Sequence, residues 1–101
     1  MELETVVELS CADLLKVLAD ETRLSVLRKL LDGPKHVGEI NEELQVEQSL
    51  LSHHLKVLRD TGLVIAARQG KAVLYQLAPR FEAIQSGNSI HLGCCRLSFD
   101  E

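Results

Sequence analysis

Three cysteines carry the most reactive chemistry in this chain: Cys11 near one end, and the adjacent pair Cys94 and Cys95 near the other. An odd count leaves one sulfur unpaired, so the set is no disulfide scaffold. As thiolates the three are soft donors. With no obligatory fourth ligand they suit a trigonal, thiophilic centre. Oxidation would pair Cys11 with Cys94 or Cys95. A direct Cys94–Cys95 bond closes a small strained ring and is readily reduced. His91, Cys94 and Cys95 also stand at i, i+3 and i+4. On a helix they would share a face and, with Cys11, supply three thiolates and an imidazole to a divalent metal such as Zn(II). Cys11, at a helical inner-face position, also reads as a small packing hydrophobe.

A second set of residues is polar and basic. Over 48–60, QSLLSHHLKVLRD, a turn of 100° per residue gathers Leu50, Leu51, Leu55, Val57 and Leu58 into one broad arc. Ser49, Ser52, His53, Lys56 and Asp60 fall on the opposite arc, which is short-chained and rich in donors. His54 lies inside the apolar arc and reads as a buried, hydrogen-bonded histidine. Downstream, Arg68, Gln69 and Lys71 cluster around Gly70 at a turn. The net charge of −4 hides this region. Residues 1–46 carry ten acids and five bases, 47–80 five bases and two acids, and 81–101 three acids and one base. The middle third is therefore basic between acidic ends, and a local basic patch contacts phosphates whatever the total charge.

The elements that must position these residues follow from periodicity. Segment 8–18 places Cys11, Leu14, Leu15 and Leu18 at helical spacing. Asp20 offers an N-cap to a second helix with Leu24, Leu27, Leu30 and Leu31 on one face, stopped at Gly33-Pro34. A short helix over 37–44 turns Val37, Ile40 and Leu44 inward, and a turn leads into helix 48–60, which ends at Thr61-Gly62. Val64–Arg68 and Ala72–Leu77 read as a β-hairpin. A last helix is expected at about 80–86, weakening through QSGNSIHLG. This is the order of a winged helix-turn-helix: mainly α with a β-hairpin, in one domain over 1–101. The helix-turn-helix spans about 37–61 and the wing about 64–78. The second helix would lie in the major groove, and Arg68 and Lys71 would touch flanking phosphate or minor groove.

The stretches LADETRLSVLRKLLDG, SHHLKVLRDTGLV and RQGKAVLYQL resemble the ArsR/SmtB family of bacterial repressors over about residues 12–78. The resemblance implies a homodimer built on the N- and C-terminal helices. It implies binding to an inverted-repeat operator in double-stranded DNA without a ligand, and release by an inducer. It assigns DNA reading to Gln48, Ser49, Ser52, His53 and Lys56, and the wing contacts to Arg68 and Lys71. Two usual inducer sites of the family are missing. No C-x-C precedes the recognition turn in VGEINEELQVEQS, and the C-terminal segment lacks paired Asp-x-His and His-x-x-Glu. The resemblance places both cysteine-bearing segments at the dimer interface, so Cys11, Cys94 and Cys95 would converge within or across subunits. Vicinal cysteines near the C-terminus resemble some arsenic-responsive members, and As(III) or Sb(III) is the inducer first expected. A redox or persulfide switch and a Zn(II)-type site are the alternatives.

Other classes fit less well. No Gly-rich phosphate loop, nucleophile elbow or His-Glu metal motif points to an enzyme. His53 and His54 point about 100° apart on a helix. A protein-interaction module leaves the basic helix and hairpin unexplained. No apolar run approaches the roughly 18 residues of a membrane span, and the acidic N-terminus lacks a basic n-region. The expectation is a cytoplasmic protein with no membrane partner.

Overall fold

The structure is a computed structural model and describes residues 10–81 and 87–99. Helix α1 spans Cys11–Leu18. Its N-terminus is closed by a capping box, the Ser10 hydroxyl accepting from the Asp13 N–H while the Asp13 carboxylate accepts from the Ser10 N–H. Helix α2 spans Glu21–Leu30 and is capped by Asp20, whose carboxylate accepts the Arg23 N–H at 2.9 Å. Gly33 then takes φ of 128°, a conformation that suits glycine and ends the element sharply.

Helix α3 spans Val37–Leu44 and α4 spans Gln48–Asp60. The turn between them is set by one side chain. The Asn41 amide donates to the Val46 carbonyl at 3.0 Å, and its oxygen accepts the Val46 N–H at 2.9 Å. Gln45 takes up the left-handed conformation, φ 52°, that reverses the chain. Helix α4 buries Leu51, His54, Leu55 and Leu58 against α2 and the sheet. The expected inward residues are buried or half-buried, apart from Leu15 of α1, which is 47% exposed, and with two further differences. Val26 of α2 is fully buried, and Leu50 of α4 is 45% exposed.

The wing is strands β2, Val64–Gln69, and β3, Ala72–Leu77, antiparallel, with Gly70 and Lys71 between them. Gly70 adopts φ of 60° at the first turn position, which a tight hairpin requires. A short strand not expected from the sequence, β1 at Lys35–His36, pairs with the far edge of β3. The sheet order is β1-β3-β2. His36 Nδ1 donates to the Val73 carbonyl at 3.2 Å, so the start of α3 is pinned to the wing.

The C-terminal segment holds a hairpin that the spacing does not show. Only Pro79–Phe81 forms a turn of 3₁₀-helix, and residues 82–86 of the expected helix lie outside the described residues. Beyond them the chain is a hairpin of β4, Ser89–His91, and β5, Arg96–Ser98. Gly87 and Gly93 both have positive φ, 79° and 95°, which a helix cannot contain. Ile90 and Leu92 sink the hairpin into the core. No helix among the described residues is long and apolar enough to cross a membrane.

Replacing Asn41 by Ala removes both bonds of the helix-turn-helix junction. The expected loss is about 2 kcal/mol, read as a lower urea midpoint with an unchanged slope. A loss under about 0.5 kcal/mol would contradict the role given to Asn41. Asp20 makes a pH-dependent contribution. The Arg23 N–H beside it, with added attraction from the Arg23 guanidinium, holds its carboxyl below the usual value against the effect of burial. A depressed folded pKa gives stability that is present above the unfolded value and lost as pH falls through the folded one. Asp20→Asn should therefore be less stable than the parent near pH 7, with the gap closing below about pH 4. Urea denaturation at both pH values checks this, and a gap that widens on acidification would refute it.

Candidate nucleic-acid interface and thiol site

The N-terminus of α4 is built around Glu47. Its carboxylate caps the helix, accepting from the Leu50 N–H at 3.3 Å and from the Ser49 hydroxyl at 2.5 Å. The Ser49 bond is the main reason the Glu47 carboxyl sits below the ordinary range. Gln48, Ser49, Ser52, His53 and Lys56 are all exposed, as are Arg68 and Lys71 of the wing. The expected polar arc is thus a solvent-facing surface. Within it, Lys56 Nζ lies 2.7 Å from the Asp60 carboxylate, an i,i+4 pair that holds the Asp60 carboxyl down. Such an exposed pair is weak and exchanges readily for another anion.

Beneath this surface, His54 is 7% exposed. Arg23 Nη1 donates to His54 Nδ1 at 3.1 Å. A guanidinium only donates, so Nδ1 accepts and the neutral ring carries its proton on Nε2. That atom faces Asp20 Oδ1 at 3.9 Å. The same Arg23 sends Nε to the Val17 carbonyl of α1 at 2.6 Å. One arginine thereby joins the end of α1, the cap of α2 and the buried face of α4. The sequence identified His54 as buried and bonded. Its partner could not be read, because Arg23 lies 31 residues away.

The second site gathers all three cysteines. Cys11 is half-buried in the first turn of α1, with Cys94 exposed and Cys95 half-buried in the turn between β4 and β5. Cys11 and Cys94 are joined as a disulfide across 83 residues, with Cα atoms 6.0 Å apart. Cys95 Sγ lies 3.8 Å from Cys11 Sγ and 3.9 Å from Cys94 Sγ. All three sulfurs fall within 4.8 Å of one another in one chain.

The local cause is the turn. Gly93 takes a left-handed conformation, and the Leu92 N–H donates to the Cys95 carbonyl at 2.8 Å. Ile90 and Leu92 then seat the turn in the core that Leu14 and Leu18 of α1 also join. His91 does not join the sulfurs. The segment is strand and turn, so the i, i+3, i+4 face expected of a helix does not form, and the Gly93 N–H donates to His91 Nδ1 at 3.1 Å. A cavity of about 540 Å³ opens beside the disulfide, walled by Leu14, Arg80, Phe81 and Leu92 among others.

Known proteins share this frame. The family described as bacterial regulatory protein, arsR family, matches residues 20–66. The transcriptional regulator NmtR of Mycobacterium tuberculosis is 39% identical over 88 residues, covering 81% of this chain and 73% of that protein. The arsenical resistance operon repressor of Escherichia coli is 41% identical over 71 residues, 69% of this chain and 61% of that protein. Among solved structures, reduced HlyU from Vibrio cholerae superposes with a TM-score of 0.62 at 45% identity, over 64% of this chain and 68% of that one. The matched segment holds the second helix, the helix-turn-helix and the start of the wing, the elements described above. The chain belongs to the arsR family of bacterial regulatory proteins.

Proposed function

We propose that this chain is a transcriptional repressor that binds an inverted-repeat operator as a homodimer and is released when As(III) or Sb(III) is held by Cys11, Cys94 and Cys95. The observation that carries the reading is the meeting of three sulfurs within 4.8 Å, two from the last hairpin and one from the first helix. A bound trivalent metalloid would supply bonds to three soft thiolates and need no fourth ligand. The absence of His91 from the cluster favours that donor set over a four-ligand divalent site. In this reading Gln48, Ser49, Ser52, His53 and Lys56 enter the major groove. Arg68 and Lys71 reach the flanking backbone. The homodimer is supported by α1, where Leu15 stands 47% exposed and offers an apolar surface for a second copy to cover.

A second reading has its own observation, the bond between Cys11 and Cys94. Two thiols lose two protons and two electrons to an oxidant of the peroxide class, and Cys95 stays a thiol. Either event ties α1 to the hairpin. A ligand or modification releases DNA only if it favours the conformation that fits DNA poorly.

Fluorescence anisotropy of the reduced protein on DNA that it selects from a random pool tests the first reading. Anaerobic arsenite should release the DNA at about one equivalent per cluster, and Cys94→Ser should abolish release. Tight binding unmoved by arsenite would refute the metalloid switch and leave the repressor. The second reading makes a separate claim on stability. Closing a loop of 83 residues removes denatured-state entropy worth up to about 4–5 kcal/mol. Oxidised protein should melt well above reduced protein. Cys95→Ser should keep that difference and Cys94→Ser should lose it. Equal melting of the two forms would count against the disulfide.

A further inference from the structure

The apolar face of α4 is not all in the core. Leu51, Leu55 and Leu58 are buried to within 2% exposure, whereas Leu50 is 45% exposed. It stands in the first turn of the helix, between Ser49 and Ser52 and one turn before His53, all of them exposed. Its N–H is committed to the Glu47 cap, which fixes the backbone from which the side chain projects. Leaving such a side chain in water forgoes part of the gain of burying it. Major-groove base edges carry donors and acceptors, and one apolar group, the C5-methyl of thymine.

We infer that Leu50 is a specificity-determining residue that packs against a thymine methyl in each half-site. The inference rests on the DNA-binding reading and not on the thiol site. Ser49 complements it. Its hydroxyl proton is given to Glu47, so it offers an acceptor to the groove and leaves the neighbouring apolar contact to Leu50.

The test uses the full chain, reduced, on DNA selected from a random pool. Each thymine in turn is replaced by deoxyuridine, which keeps every hydrogen-bonding atom and lacks only the methyl. At one position per half-site the replacement should weaken binding about fourfold, the worth of one buried methyl. Leu50→Ala should lose that penalty at that position and keep its response elsewhere. Leu50→Gln should shift the preferred base there from thymine toward adenine, whose N6 and N7 a glutamine side chain reads. Parent and Leu50→Ala responding alike at every thymine would overturn the inference. So would a change of oligomeric state in Leu50→Ala by light scattering, which would assign the side chain to a contact between copies. Failure of the parent to select any sequence would overturn the DNA reading together with this one. Selection without a methyl effect overturns this one alone.

Discussion

The two ends of the described chain meet at three sulfur atoms, and the C-terminal hairpin depends on that meeting. Strands β4 and β5 have three residues each. A two-stranded hairpin of that size is marginal in water on its own. Two things hold it here. Ile90 and Leu92 are buried in the shared core, and Cys94 and Cys95 sit against Cys11 at the start of α1. The packing keeps the sulfurs within reach of one another, and the chemistry of the sulfurs decides how firmly the hairpin is tied.

From that cluster a short line of bonded groups leads to α4. Cys11 opens α1, whose Leu14 and Leu18 are buried. The Val17 carbonyl near the end of α1 receives Arg23, and Arg23 donates to His54 under the exposed face of α4. The stretch D-E-T-R acquires a physical meaning in this setting. Asp20 closes the helix N-terminus and lies near the His54 imidazole, while Arg23 bridges three helices. A buried imidazole whose Nδ1 is met by the Arg23 guanidinium fixes the position of α4 more firmly than apolar contact alone.

Much of this was legible in the sequence. Long periodic segments declare themselves, so α2, α3, α4 and the wing fall at or within a residue or two of where spacing and caps put them. His54 was readable as buried because it interrupts an otherwise apolar arc. Leu50 was misplaced because that arc is broad. At 100° per residue it lies about 90° from the centre of the buried face, where helix geometry alone does not decide exposure. The C-terminal hairpin was hidden for another reason. Three-residue strands are too short to show a period of two, and Gly87, Asn88 and Gly93 signal only that a helix fails. β1 exists because β3 has a free edge for Lys35 and His36 to pair with, a fact of tertiary structure. The three cysteines were singled out by type and adjacency. Their meeting point follows from the turn at Gly93 and from where the core seats Ile90.

The most direct measurement of the central claim is arsenic K-edge X-ray absorption on the reduced protein loaded with arsenite. The expected result is a first shell of sulfur alone, from the three thiols that lie within 4.8 Å. It should lose one sulfur in each of Cys11→Ser, Cys94→Ser and Cys95→Ser. A shell containing nitrogen or oxygen in the parent, or one unchanged by Cys11→Ser, would contradict a metalloid site that joins the first helix to the last hairpin.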